Sequence, residues 1–202
     1  MQTLRVPEIW FDLTHAPIVE PELLTKALHS PISGLLMLPS QEIPVEIPDR
    51  VKRGWLISEE EELAKIKGRS EMAVSHSHDL VRQARSRGHP VGILCRVSDH
   101  ATLEEACQLL EHADYLFVSL VDETNIPLEL ILARAQPTRV RVIKTVETLE
   151  EALVALGVLE HGCHGILLVP RDLETVVRLA HELTARPSHR LDLVELEVLR
   201  LQ

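Results

Sequence analysis

Along ADYLFVSLVDETNIPLELILARA, residues 113–135, the spacing of apolar positions changes midway. Tyr115 to Leu120 is a run of branched and aromatic residues broken only by Ser119. Polar residues 122–125 interrupt it, and from Ile126 and Pro127 the apolar positions recur at helical spacing. Such a change predicts a buried strand, a loop and a helix opening on proline. The same change recurs eight times. The predicted strands are Glu8 to Leu13, Gly34 to Leu38, Gly54 to Ile57, Glu71 to Ser75, Val91 to Val97, Tyr115 to Leu120, Arg139 to Val146 and Gly165 to Val169. Most are short and apolar throughout, as parallel strands covered on both faces must be.

Between them lie PELLTKALHS, EEELAKI, HDLVRQARSRG, TLEEACQLLEHA, PLELILARA, TLEEALVALGVLEHG and DLETVVRLAHELTAR, each with helical periodicity. Thr102 and Thr148, each followed three residues later by glutamate, have the capping-box spacing, and Gly88 and Gly162 stand where helices should stop. Alternating strands and helices imply a parallel sheet with right-handed crossovers, and eight units allow a compact (β/α)8 TIM-like barrel over residues 1–190. SQEIPVEIPDRVKRG, between the second and third strands, is too rich in turn signals for a helix. Because about 190 residues is small for such a barrel, an open doubly wound sheet is the alternative. Residues 191–202, LDLVELEVLRLQ, alternate apolar and polar positions and predict an extra, half-exposed C-terminal strand.

Composition narrows the function classes. The 202 residues suffice for one substantial core, and with aromatics at 2% that core is expected to be aliphatic. The formal charge of −10, spread over helix faces, argues against nucleic acid or an anionic membrane surface as a partner. Three widely spaced cysteines, Cys95, Cys107 and Cys163, fit a reducing cytoplasm better than a disulfide framework, and no apolar run reaches bilayer-spanning length.

In a parallel barrel the chemistry sits just past the strands. The residues there are Asp12, Ser58, His76, His78, Arg96, Ser98, Asp122, Asn125, Lys144, Thr145 and Arg171. Asp12 has the chemistry of a general base or an amine-binding carboxylate, and equally that of a turn cap. Lys144 and Arg171 are placed to hold a phosphate near the seventh and eighth strands, or are solvated surface cations. His76 and His78, two apart, have a spacing that can chelate a divalent metal, but no third ligand can be named. His161 and His164 fall at the opposite end of a barrel, and Cys163, ahead of a strand, has no identifiable base.

IWFDL, LTKALHSPISGLLML, ADYLFVSLVDETNIPLELILARAQ and ETLEEALVALGVLEHGCHGILLVPRDLETVVRLA, in this order and spacing, resemble the archaeal-type, or type II, 3-dehydroquinate synthases, to which a bacterial amino-hydroxybenzoate synthase is related. LDLVELEVLRL resembles the family's link into a second, β-rich domain with a GDRVCVDTCSL-like segment, before which this chain stops. The resemblance implies NAD-dependent oxidative deamination of 2-amino-3,7-dideoxy-D-threo-hept-6-ulosonate and aldol closure to 3-dehydroquinate, feeding the shikimate route to aromatic amino acids. It implies a catalytic role for Asp12, at a Trp-x-Asp-like position, and for Lys26 in the first helix. Lys144 is a further candidate for orienting a carbonyl, and Asp122, Asn125 and Arg171 for binding a small keto or amino sugar acid. Two positions depart from the family pattern. Val169 and Pro170 stand where an aspartate is usual, and His164 replaces the aspartate of a G-x-D-G. With no GxGxxG present, NAD rests on resemblance alone. Other expectations are a homo-oligomer or pairing with the β-rich domain, a non-catalytic homologue that binds a ligand or partner, and a metal-dependent lyase using His76 and His78.

Overall fold

The computed structural model describes residues 7–15, 20–121, 126–157 and 163–169, with 175, 178–179 and 181–182. Eight strands close a barrel in chain order: β1 Glu8–Asp12, β2 Gly34–Met37, β3 Lys52–Leu56, β4 Met72–Ser75, β5 Val91–Val97, β6 Tyr115–Leu120, β7 Arg141–Val146 and β8 Gly165–Leu168. Each neighbouring pair is parallel, and β8 returns to β1 with Gly165 beside Glu8 and Leu168 beside Phe11. The sheet therefore has no edge, which excludes the open doubly wound alternative. The predicted extra strand, 191–202, lies outside the described residues.

The helices α1 Pro21–His29, α2 Glu60–Leu63, α3 His78–Ser86, α4 His100–Gln108, α5 Ile126–Ala135 and α6 Leu149–Gly157 lie between strands. Thr175, Arg178, Leu179, His181 and Glu182, after β8, are also helical. Helical spacing turns one stripe inward on each: Leu24, Ala27 and Leu28 on α1, and Leu80, Val81 and Ala84 on α3, are buried. No helix links β2 to β3. There Ile47 and Val51 are buried and Ile43 and Val45 pack on the core, so an extended segment covers the sheet where a helix would. Arg50 holds it in place by donating to the carbonyls of Leu28 and Ile32.

Two local expectations change. Thr102 does not cap α4. Asp99 does, accepting from the Thr102 amide at 2.9 Å while the Thr102 hydroxyl accepts from the Asp99 amide at 3.0 Å. Strand β3 begins at Lys52, two residues before the apolar run, because Lys52 and Arg53 pair with Gly34 and Leu35.

Period-two alternation divides the strand residues into two sets. One faces the helices. The other fills the barrel with Trp10, Leu36, Met72, Val74, Phe117, Ile143 and Leu167. This interior is not purely aliphatic: three of the chain's five aromatic residues, Trp10, Tyr115 and Phe117, meet there. Trp10 lies edge-on to the other two rings, each centroid 5.5 Å away. The indole occupies the space a side chain at Gly34 would need, since a Cβ there would come within 2.5 Å of the ring.

Below Trp10 the amino-terminal end of the barrel is closed by a polar cluster that the sequence does not announce. The Glu8 carboxylate accepts from the Trp10 indole N–H at 3.0 Å, from Lys52 Nζ at 2.8 Å and from the Tyr115 hydroxyl, and Arg141 lies 3.2 Å away. Burial pushes the Glu8 pKa up, but the Lys52 and Trp10 hydrogen bonds and the charges of Lys52 and Arg141 outweigh it and hold the carboxyl below the usual range. For Lys52, burial pushes down, and hydrogen bonds with Glu8 and Tyr115 prevail to raise its pKa.

Two outcomes follow for stability. A Cβ on Gly165 would sit 2.1 Å from the Glu8 carbonyl oxygen, a backbone atom that cannot move without opening the β8–β1 pairing. Gly165→Ala is expected to cost about 3 kcal/mol or more in urea unfolding, or to prevent folding. Because Glu8 has a lowered pKa, its contribution is present above the ordinary glutamate range and is lost as pH falls through its folded-state value. Glu8→Gln is therefore expected to cost about 2 kcal/mol near neutrality, less than a fully buried pair, and the gap to the parent should close in acid. A gap constant down to strong acid would contradict this account.

Candidate active site at the carboxyl-terminal mouth

The alternation that points Trp10 and Phe117 into the barrel continues to the strand ends. It places Asp12 on β1, Arg96 on β5, Ser119 on β6 and Thr145 on β7 on the inward side, where parallel barrels carry their chemistry. Leu56 and Leu94 form an apolar layer beneath them.

Asp12 is buried, with 7% of its surface exposed. Its Oδ1 accepts from the Thr14 amide at 2.9 Å and the Thr14 hydroxyl at 2.6 Å, and Oδ2 lies 3.7 Å from His15 Nε2. The turn-cap and carboxylate-base readings are thus compatible. One oxygen fixes the turn, and the other stays on the side of the exposed His15 imidazole. Gln41 joins this end of β1 to the end of β2, donating to the Leu13 carbonyl at 2.7 Å while accepting from the Leu38 amide at 3.0 Å. On the neighbouring strands, Ser75 donates to the Ile57 carbonyl at 2.8 Å and accepts from the Ser77 amide. These hydrogen bonds hold the rim that positions Asp12 and His76.

His76 turns to β5, with Nδ1 3.1 Å from the Leu94 carbonyl oxygen. A carbonyl only accepts, so Nδ1 carries the proton and Nε2 is the ring's remaining polar atom. His78 does not share its direction. It opens α3, lies 3.8 Å from Glu105, and lines a groove between α3 and α4 with Arg85, Ile93 and His112. The two imidazoles belong to different surfaces, and among the described residues no group of three or more His, Cys, Asp or Glu is arranged to hold a metal.

Two further candidates are also separated from Asp12. Lys144 pairs in register with Val118 and Ile166, which face the helices, so alternation directs it away from the mouth; its neighbour Thr145 has the inward position. Lys26 is exposed on the outer face of α1, beside Glu22, Thr25 and His29. Cys163 is buried among helix-layer residues, its thiol donating to the Ala155 carbonyl, and burial pushes its pKa up, the opposite of an activated nucleophile. Burial also pushes Cys95 up to about 12. Asp122, Asn125, Arg171 and His161 lie outside the described residues. His164 is at the floor, where its Nδ1 accepts from the Val142 amide.

Charge is thus divided across the mouth, with the Asp12 carboxylate on β1 and the Arg96 guanidinium on β5. Sequence alone names both as strand-end residues, and counting in steps of two from Trp10 and from Phe117 distinguishes inward from outward. The chemistry available is acid–base work by Asp12 and His76 on a small polar ligand held over Leu56 and Leu94.

Comparison with known proteins bears on this site. Over 113 residues the chain is 34% identical to a 3-dehydroquinate synthase of Methanothrix thermoacetophila, covering 56% of this chain and 31% of that protein. Over 193 residues it is 25% identical to a 3-amino-4-hydroxybenzoic acid synthase of Streptomyces griseus, covering 94% of this chain and 48% of that one. The chain therefore spans about half the length of these relatives, or less. Among solved structures, phosphoribosyl anthranilate isomerase from Thermotoga maritima superposes with a TM-score of 0.64 at 14% identity, over 87% of this chain and 99% of that one, a likeness of fold alone. Residues 7–183 match the sequence model of the 3-dehydroquinate synthase II N-terminal domain, and with a closed eight-stranded barrel over the same span the chain belongs to the 3-dehydroquinate synthase II family.

Proposed function

We propose that this chain is the barrel part of a dehydroquinate synthase II-type enzyme that deaminates 2-amino-3,7-dideoxy-D-threo-hept-6-ulosonate oxidatively and closes the product to 3-dehydroquinate. The observation that carries the reading is Asp12, a buried carboxylate facing inward at the mouth of a barrel that matches this family from residue 7 to 183. Oxidative deamination and aldol closure both require removal of a proton, from the amine and then from the carbon beside a carbonyl. Thr14 holds Asp12 Oδ1, so the carboxylate stays in one orientation and Oδ2 is its proton-accepting atom. His15, exposed and 3.7 Å from Oδ2, can pass that proton to water. His76 Nε2 is a second proton acceptor on the opposite side of the rim. The apolar layer of Leu56 and Leu94 keeps water from beneath the folded substrate chain.

This reading requires a hydride acceptor, a chemistry that NAD would supply if bound. A glycine-rich dinucleotide cradle would follow a strand at the mouth, and none of the chain's eight glycines stands there: Gly34, Gly54, Gly92 and Gly165 are within strands, and Gly68, Gly88, Gly157 and Gly162 precede them. The described residues do not fit such a cradle. A β-rich domain or a second copy of the chain completes the site in this reading.

A second reading is a barrel retained for ligand or partner binding without turnover. A third reading is a lyase akin to the 3-amino-4-hydroxybenzoic acid synthase that aligns over 94% of the chain, with metal dependence as the expectation to be tested. NADH formation on mixing the amino-ulosonate with the protein supports the first reading. Saturable binding without NADH supports the second, and stoichiometric divalent metal by elemental analysis the third.

Asp12→Asn is expected to lower turnover by about 10²- to 10⁴-fold. The melting temperature should change little, because the asparagine oxygen still accepts from Thr14. Unchanged turnover in this variant would remove the assignment.

A further inference from the structure

The arc of the mouth opposite Asp12 has a composition of its own. Arg96 and Ser119 are register partners on β5 and β6. The pairing of Val118 with Lys144, continued by one residue, sets Ser119 beside Thr145 on β7. All three occupy the inward set, since Thr145 pairs with the interior Leu167 and Ser119 and Arg96 lie two residues beyond the interior Phe117 and Leu94. Adjacent strands are about 4.8 Å apart, so a guanidinium and two hydroxyls line about 10 Å of rim.

Two observations point to a ligand there. Thr145 Oγ1 is closed off from solvent and has no hydrogen-bond partner among the described residues, a condition native proteins rarely leave without a function. Arg96 is exposed on the inward side and has no ion pair or hydrogen bond among the described residues, although acidic residues outnumber basic ones by ten in this chain. The floor shows the contrast: there Lys52 and Arg141 both lie against Glu8.

We propose that Arg96, Ser119 and Thr145 form a subsite for the carboxylate of the acid that binds in the mouth. The guanidinium takes a carboxylate as a two-pronged donor, and the two hydroxyls donate to its remaining lone pairs. Asp12, four strands from Arg96 and two from Thr145 through β8, repels the same group. A short acid is thereby held in one direction, its carboxylate on the β5–β7 arc and its carbon chain extending across Leu94 toward Asp12. This deepens the reading of the mouth given above and rests on it for the substrate, but not for the carboxylate itself.

Titration of the full 202-residue chain with pyruvate, its uncharged methyl ester and inorganic phosphate, followed by calorimetry, tests the subsite. Pyruvate is expected to bind saturably and the ester not to bind. Arg96→Gln should weaken pyruvate by about 10- to 100-fold, the effect of a charge-assisted hydrogen bond, and Arg96→Lys should fall between it and the parent. Thr145→Val should weaken binding about fivefold while leaving the unliganded protein at least as heat-stable as the parent, since it removes an orphan hydroxyl rather than a bond. Arg82→Gln, on the outer groove of α3, should leave binding unchanged. Absence of pyruvate binding, parental affinity in Arg96→Gln, equal binding of the ester, or phosphate binding tighter than pyruvate through Arg96 would each overturn the carboxylate assignment. Arg96-dependent binding with no NADH formation from the amino-ulosonate keeps the subsite and removes the proposed reaction, whereas NADH formation unaffected by Arg96→Gln does the reverse.

Discussion

The contact between the Trp10 indole and the bare backbone of Gly34 is what the rest of the structure depends on. A closed eight-stranded barrel must fill its own centre, and in a chain with five aromatic residues most positions are occupied by aliphatic side chains of moderate size. Trp10 fills the middle, with Phe117 and Tyr115 against its edges. Gly34 leaves room on the adjacent strand. Loss of a buried tryptophan costs about 3–5 kcal/mol in general. Here the cost is not only that of a cavity, since the indole N–H also links the apolar layer to the Glu8 carboxylate below.

That link separates two uses of charge in one barrel. At the amino-terminal floor the charged groups Glu8, Lys52 and Arg141 lie against one another, with Tyr115 bridging by its hydroxyl, and hydrogen bonding outweighs burial to keep Glu8 and Lys52 ionised. Such a cluster stabilises and orients but leaves little for a ligand. At the carboxyl-terminal mouth, Asp12 has one oxygen engaged by Thr14 and the guanidinium of Arg96 points inward without a protein partner among the described residues. Polar groups left partly unsatisfied at one end are tolerable because the other end and the interior hold the strands in register.

The corrections share a cause. Lys144 and Thr145 are neighbours in the chain, and the mouth belongs to Thr145 because Ile143 is an interior residue and the alternation runs from it. Lys26 lies on the exposed face of a helix whose buried stripe is Leu24, Ala27 and Leu28. His76 and His78 part because β4 ends at Ser75 and α3 begins at His78, so two residues of spacing cross a change from strand to helix. Strand β3 begins earlier than its apolar run because Lys52 is polar yet belongs to the floor, where Glu8 stabilises it.

By itself the sequence determined the eight alternating units, the absence of a helix between β2 and β3 and the position of Asp12 at a strand end, because apolar period, proline content and turn chemistry act over a few residues. The family pattern was likewise legible, since it lies in contiguous stretches. Only the tertiary structure decided that the sheet closes, that Glu8 meets Lys52, Tyr115 and Arg141, and that Arg96, Ser119 and Thr145 share one arc while Lys144 faces the helices. Those outcomes depend on the stagger between strands far apart in the chain, and stagger is set when eight strands must close around one filled interior, a condition no short stretch of residues contains.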